Sequence, residues 1–143
     1  MNGGCLLDTN IPSETLRPLP HVKVIAWLEK QVTESQFVSV VTLGELRRGA
    51  TLLVPGARRV KLERFIEVTV PSWFENRVLP VTQVIAERWG VLDAARQLAG
   101  RPLNIADGLI AATALEHRLT LVTRNEKDFA DLGVELHNPW EDR

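Results

Sequence analysis

Short, mostly apolar segments that alternate with helix-like segments constrain the fold of this chain most strongly. Residues 4–7, Phe37–Val41 and Leu119–Thr123 have the length of strands, and apolar side chains fall on both of their faces. A strand that is apolar on both faces is buried on both faces, which is typical of a parallel sheet covered by helices. The alternation therefore predicts an α/β/α sandwich with a short, mostly parallel central sheet.

The segments between these strands have helical spacing of their apolar residues. Helices are predicted over His21–Gln31, 42–53, Ala57–Glu75 with a break near Pro71, Thr82–Ala99 and Ile105–His117. Thr82 is a suitable N-cap for the fourth of these, and Gly100 is a suitable residue to end it. Shorter elements are a brief helix near Ser13–Arg17, strands over 77–81 and 134–138, and a short helical turn over 125–133.

Two of the predicted helices differ in how their apolar residues are distributed. Ile105–His117 is apolar nearly all round, so we expect it to be buried. The helix over Thr82–Ala99 has its large apolar residues along one side, which predicts that this side faces the core. Its members are Val84, Ile85, Trp89, Leu92, Ala95 and Leu98.

Composition narrows the class of protein. The 143 residues predict a single domain over 1–143, with 45% apolar and 24% charged residues. A net charge of −1 gives no overall basic field, which argues mildly against a nucleic-acid binder without excluding a local basic patch. The single cysteine, Cys5, excludes an internal disulfide and fits a reducing compartment. No signal peptide or membrane span is recognisable, so we expect a cytoplasmic protein without a membrane partner.

Acidic and amide side chains follow the predicted strands. Asp8 ends the first strand, Glu45 lies early in the helix after the second, and Asp107 lies near the start of the buried helix. Asn125 and Asp128 follow the Leu119–Thr123 strand directly. Each of them alone is also a common turn, cap or surface residue. Together they are predicted to meet at one edge, because ligands of open parallel sheets bind outside the carboxyl ends of the strands.

Clustered carboxylates raise one another's pKa unless a cation neutralises them. Mg²⁺ and Mn²⁺ prefer oxygen ligands, and Mg²⁺ keeps several waters beside one or two carboxylates. Such an ion can activate water and offset charge on a phosphodiester. A zinc site is disfavoured, because His21, His117 and His137 lie far apart in sequence.

Four segments, taken in order and with their spacing, resemble the PIN-domain ribonucleases, specifically the VapC-type toxins of toxin–antitoxin pairs and their FitB-like branch. The resemblance covers essentially the whole chain. The segments are "LLDTNIPSE" (Leu6–Glu14), "SVVTLGELRRG" (Ser39–Gly49), "PLNIADGLIAATALEH" (Pro102–His117) and "LVTRNEKDF" (Leu121–Phe129).

The resemblance implies a Mg²⁺- or Mn²⁺-dependent endoribonuclease. Asp8 and Asp107 would be metal ligands, and Glu45 would reach the metal directly or through water. Asn125 stands where many members have a fourth acid, and Asp128 lies close to it in sequence. This departure leaves the number of metal ions open between one and two. The general base stays open between one of the acids and a metal-held hydroxide.

The resemblance also implies how substrate and partners bind. Thr9, Asn10 and Thr123 match small polar residues that line the family's site, and their side chains can position water or phosphate oxygens. Homodimers and a cognate antitoxin that wraps the toxin are expected. Separately, a basic run after the second strand is either a solvated helical face or a rim that holds RNA phosphates. It comprises Arg47, Arg48, Arg58, Arg59, Lys61 and Arg64.

Two other functions remain open from the residues. An aspartate-based phosphotransferase would use Asp8 as its nucleophile, although such chemistry usually needs a lysine near the phosphoryl group, and no lysine ends a predicted strand. A catalytically weak PIN-like domain would only bind nucleic acid or an antitoxin. The presence of all three central acids argues against that reading.

Overall fold

The computed structural model describes residues 3–143 and contains a five-stranded sheet whose strands are all parallel. The strand order is β3-β2-β1-β4-β5. The strands are β1 (Cys5–Leu7), β2 (Gln36–Ser39), β3 (Val78–Leu79), β4 (Thr120–Val122) and β5 (Leu136–His137). With helices on both faces of this sheet, the predicted α/β/α architecture is confirmed.

Eight α-helices are present within residues 3–143. They are α1 (Asn10–Thr15), α2 (Val22–Lys30), α3 (Val40–Leu52), α4 (Ala57–Arg64), α5 (Val70–Phe74), α6 (Gln83–Leu98), α7 (Ile105–His117) and α8 (Glu126–Phe129). A π-helical turn, Phe65–Thr69, joins α4 to α5, and 3₁₀ turns occur at Thr33–Ser35 and Pro139–Glu141. None of the helices described is long and apolar enough to cross a membrane.

The central strand β1 separates two apolar cores. Its Leu7 packs with Val38 and Phe74 on one face of the sheet, and Leu6 packs with Ile110 and Leu121 on the other. All three residues of β1 are fully buried. Because both faces of β1 are covered, the open edge at its carboxyl end is where polar groups can gather.

The second strand ends earlier than predicted. Sequence favours a strand over Phe37–Val41, but β2 stops at Ser39 and α3 begins at Val40. The Ser39 hydroxyl accepts a hydrogen bond from the Val41 amide at 3.0 Å and so caps the helix. This cap overrides the β-propensity of the two valines.

The brief helix predicted near Ser13–Arg17 is present as α1, which begins three residues earlier, at Asn10, and ends at Thr15. Pro12 lies in the first turn of α1, where a missing backbone N–H disrupts no helical bond. The break predicted near Pro71 is seen as the π-helical turn Phe65–Thr69, which ends just before α5.

Helix α7 has the predicted bounds and is buried as predicted, whereas α6 is not packed as predicted. Of the predicted apolar side of α6, Ile85 is fully buried, but Val84 is 55% and Leu98 is 89% exposed. Thr82 does cap α6, since its hydroxyl accepts from the Ile85 amide at 3.3 Å. The side facing the core is rotated, and it includes Trp89, which packs against Gly108 of α7.

Candidate active site

Asp8 is positioned by the end of β1. Its amide donates to the Val122 carbonyl at 2.9 Å, continuing the parallel ladder with β4 for one residue, and its side chain is 4% exposed. One carboxylate oxygen accepts from the Thr9 amide at 2.8 Å, and the other accepts from the Thr123 hydroxyl at 2.7 Å. The carboxylate is therefore held in one orientation by the ends of two adjacent strands.

Glu45 reaches the same edge from the second turn of α3. Its Oε1 accepts a hydrogen bond from the Thr9 hydroxyl at 2.6 Å. That hydroxyl also lies 3.1 Å from the hydroxyl of Thr42, a fully buried residue one turn before Glu45. Thr9 thus links the acid of α3 to the backbone that follows Asp8.

Asp107 is the third residue of α7, and its helix start is fixed by Asn104. The Asn104 side chain accepts from the amides of Ala106 and Asp107 at 2.9 and 3.4 Å. Burial raises the pKa of Asp107 to about 6, and the charges of three neighbouring carboxylates add to this rise. In decreasing order of effect, these neighbours are Asp8, Asp128 and Glu45.

The pKa of Asp8 is raised as well, mainly because the carboxylate is buried. Hydrogen bonds from Thr123 and from the Thr9 amide oppose that rise, while the charges of Glu45 and Asp128 add to it. The charges of Glu45 and Asp128, which lie on other elements, therefore affect the pKa of Asp8.

Asn125 and Asp128 occupy different surroundings. The Asn125 amide donates to the Thr123 hydroxyl at 3.0 Å, so its backbone supports the residue that orients Asp8. Asp128 is one turn further on, in α8, and its charge reaches both Asp8 and Asp107. Among the two residues, Asp128 is the one that adds negative charge to the cluster.

The polar residues predicted to line the site are found there. Asn10 donates to Asp8 and Thr123 at 3.4 Å each, and its side-chain oxygen accepts from the Arg124 amide at 3.4 Å. Thr9 and Thr123 hold Glu45 and Asp8, as described above. These residues form a hydrogen-bonded layer around the carboxylates.

The two arginines of α3 point in different directions. Arg47 forms an ion pair with Glu67 at 3.3 Å, on the side of the π-helical turn. Arg48 is exposed and lies one helical turn after Glu45. Because residues three apart lie on the same side of a helix, Arg48 is the better placed of the two to approach a ligand at Glu45.

Sequence reasoning missed two buried polar residues near this edge, Thr42 and Arg96. Thr42 could have been found because it lies three residues before Glu45 on the same helical face. Arg96 follows the buried Ile85 and the half-buried Trp89 and Leu92 at helical spacing, so its charge interrupts an otherwise apolar side of α6. It is 8% exposed.

The side chains fit a hard divalent cation. The site offers carboxylate and hydroxyl oxygens, which Mg²⁺ and Mn²⁺ prefer. Within residues 3–143, no three His, Cys, Asp or Glu side chains are close enough together to enclose an ion. Asp8 accepts a hydrogen bond from Thr123, and Glu45 accepts one from Thr9. The arrangement suits Mg²⁺, which is bound by one or two carboxylates and otherwise by water.

The fold that carries this sheet edge is that of a known class of protein. The chain belongs to the PIN domain family, whose model matches residues 5–135.

Particular relatives cover nearly the whole chain. It is 38% identical to Toxin FitB of Neisseria gonorrhoeae over 137 residues, which are 96% of this chain and 99% of that protein. It superposes on the crystal structure of FitAcB from the same organism with a TM-score of 0.88 at 37% identity, covering 96% and 99% of the two chains. VapC ribonuclease Y4jK of Sinorhizobium fredii is 35% identical over 95% of this chain and 97% of its own length. A toxin–antitoxin complex from Klebsiella pneumoniae matches with a TM-score of 0.71 at 30% identity, covering 97% and 100%.

Proposed function

We propose that this chain is a Mg²⁺-dependent endoribonuclease toxin of a toxin–antitoxin pair. The observation that carries this proposal is that acids from different parts of the chain meet at one sheet edge. Asp8 is bonded by Thr9 and Thr123, Glu45 is bonded by the same Thr9, and Asp107 is close enough for the charges of both to raise its pKa. The names of the relatives, a toxin and a VapC ribonuclease, agree with it. Mn²⁺ has the same ligand preference and is proposed as a substitute ion.

In this proposal, Asp8 and Asp107 hold the ion and Glu45 holds water next to it. A bound divalent ion would offset the charge of the phosphodiester and increase the acidity of water beside it. Thr123 keeps the Asp8 carboxylate oriented through its 2.7 Å hydrogen bond, and Thr9 does the same for Glu45 at 2.6 Å. Pre-oriented acids need no rearrangement when the substrate phosphate arrives.

Many family members have a fourth acid where this chain has Asn125, and we divide its role between two residues. We propose that Asp128 supplies the additional negative charge and that Asn125 contributes through its backbone contact with Thr123. Asn10 and Arg48 are proposed to contact substrate, since Asn10 donates to Asp8 and Arg48 is an exposed cation one helical turn after Glu45. Arg47 is proposed to contribute less to binding, because it is engaged with Glu67.

An antitoxin is the proposed protein partner. A cavity of about 320 Å³ between α1 and the α3–α4 region is lined by Leu16, Leu53 and Leu62 and rimmed by Arg17, Arg58 and Lys61. Such a groove fits an amphipathic helix with acidic residues beside its apolar face. The Klebsiella relative is itself described as part of a toxin–antitoxin complex.

A homodimer is proposed as well. Val84, Val91 and Leu98 are spaced by seven residues on α6, and they are 55%, 71% and 89% exposed. Apolar residues at this spacing form one stripe, which can pack against the same stripe of a second copy. Size-exclusion chromatography with light scattering should give a dimer for the wild type and a monomer for Val91→Asp.

The nuclease proposal is tested on a pool of structured and single-stranded RNAs. The purified chain is incubated with Mg²⁺, with Mn²⁺ and with EDTA, beside Asp107→Asn and the matched surface variant Glu29→Gln. Cleavage by the wild type and Glu29→Gln that is lost with EDTA and in Asp107→Asn supports the proposal. Full cleavage by Asp107→Asn contradicts the ligand role of Asp107.

Absence of cleavage by a folded wild-type protein with either metal ion would favour the binding-only alternative. A phosphorylated Asp8 formed from a phosphate donor would instead favour the phosphotransferase.

A further inference from the structure

A second polar cavity adjoins the carboxylate cluster. It has a volume of about 450 Å³ and lies between the end of α6, the loop before α7, and α8. Asp107 and Asp128 form its wall on the side of the cluster, and Arg96, Arg101 and Lys127 supply positive charge. The acids and the basic residues thus share one cavity.

Arg96 is the unusual member of this cavity. Its Nη2 donates to the Asp128 carbonyl at 2.8 Å, and its Nε and Nη1 are buried and without a partner among residues 3–143. The residue belongs to none of the ion pairs formed within that part of the chain. A buried guanidinium whose single hydrogen bond is to a neutral carbonyl is unfavourable, and it favours binding of an anion.

The position of the cavity indicates which anion would bind. It begins at Asp107, so an anion inside it would lie next to whatever is bound between Asp107 and Asp8. We infer that Arg96, with Lys127 and Arg101, binds the backbone phosphate adjacent to the one held at the carboxylates. This inference rests on the proposed function, because it takes RNA as the substrate.

The chemistry of the three side chains suits a phosphodiester. Guanidinium groups form charge-assisted, often bidentate hydrogen bonds with phosphate oxygens, and lysine adds a mobile point charge. The free nitrogens of Arg96 have almost no accessible surface, so the phosphate draws the guanidinium forward from its carbonyl contact. That exchange replaces a hydrogen bond to a neutral acceptor with hydrogen bonds to an anionic one. Arg101 takes part by leaving its ion pair with Asp131, in which both side chains are more than half exposed.

The subsite would also assist the acids. Asp107 and Asp128 repel a phosphodiester, and the positive charges that line the same cavity offset this repulsion. RNA could then approach the carboxylates along a path that begins at Lys127. The subsite binds phosphate and reads no base, so it contributes affinity and register without sequence preference.

The test measures binding without cleavage. A fluorescent single-stranded RNA whose 2′-hydroxyls are methylated is titrated in EDTA at several salt concentrations, against wild type, Arg96→Met, Arg96→Lys and Lys127→Met. Arg88→Met is the matched control, since Arg88 also lies on α6 and is paired with Glu116 at 3.2 Å. Circular dichroism and thermal melting establish that each variant is folded.

Loss of one phosphate contact should lower the slope of log K against log salt by about 0.7 for a single strand. We therefore expect Arg96→Met and Lys127→Met to bind about 5- to 10-fold more weakly at about 50 mM salt, with a shallower slope. Arg96→Lys should be intermediate, and Arg88→Met should match the wild type.

Unchanged affinity and slope in folded Lys127→Met and Arg96→Lys would overturn the inference, whatever Arg96→Met does. Unchanged RNA binding together with loss of antitoxin binding would also overturn it, and would assign the cavity to an acidic side chain of that partner.

If the chain is not a ribonuclease, the two experiments give a different combination of results. In that case the wild type cleaves no RNA with metal, while RNA binding still depends on Arg96 and Lys127.

Discussion

Replacing Asp107 with Asn should stabilise the metal-free protein while abolishing cleavage. The Asp107 carboxyl is partly buried and surrounded by acids, which raises its pKa from 3.8 to about 6. Without any reduction for solvent screening, this rise in pKa corresponds to about 3 kcal/mol of stability lost when the carboxyl is ionised. Because the side chain is partly exposed, solvent screening reduces the expected gain in Asp107→Asn to about 1–2 kcal/mol.

The pH dependence gives the sign of the effect. The folded protein binds the Asp107 proton more tightly than the unfolded chain does, so ionisation weakens the fold. The destabilisation is absent below about pH 4 and complete above about pH 6. The free energy of unfolding of Asp107→Asn should therefore exceed that of the wild type most at about pH 7.5. At about pH 4.5 the difference should be about a third as large.

The assay is urea denaturation in EDTA at both pH values, with Glu29→Gln as the control for loss of one surface charge. Added Mg²⁺ should then raise the stability of the wild type more than that of Asp107→Asn, because a ligand that binds only the folded state stabilises it. A variant that is less stable than the wild type in EDTA at about pH 7.5, or a gain that is equal at both pH values, would refute the electrostatic reasoning.

Three further substitutions test the site and its support. Thr123→Val should cost about 1–3 kcal/mol in urea denaturation, because Asp8 loses a buried hydrogen bond, whereas Thr123→Ser should keep most of the stability. Gly108→Ala places a methyl group 2.6 Å from the Trp89 ring and should lower stability by about 1–3 kcal/mol, while Gly44→Ala, in open space on α3, should raise it by about 0.5–1 kcal/mol. In RNA cleavage assays, Asp128→Asn should reduce the rate more than Asn125→Ala, and the reverse order would return the fourth position to Asn125.

The sequence alone determined the architecture, because the signals for it are local. Apolar runs of strand length alternate with helical spacing, and the caps are formed by short-range groups such as Thr82 before α6 and Asn104 before α7. Helix α7 has the same bounds in prediction and structure, since its apolar run begins after a capping side chain and ends at His117. The meeting of the acids at one edge could also be predicted, because parallel strands bring their carboxyl ends to that edge.

Tertiary structure decided which side chains of those elements meet. The valines at 40 and 41 belong to α3 because Ser39 caps that helix, and this moves Glu45 to the second turn, where the Thr9 hydroxyl reaches it. The buried face of α6 includes Arg96 and leaves Leu98 exposed, and on this face Trp89 packs against Gly108 of the neighbouring helix α7.

Residues far apart in sequence also interact in ways that spacing does not encode. Thr123 bonds Asp8 across 115 residues, and Arg96 bonds the backbone of α8 across 32. The sequence therefore determined that acids gather at the end of a parallel sheet, because strand direction and local caps suffice for that. Their hydrogen-bond partners, and the buried arginine beside them, were decided by helix rotation and packing, which depend on contacts between distant segments.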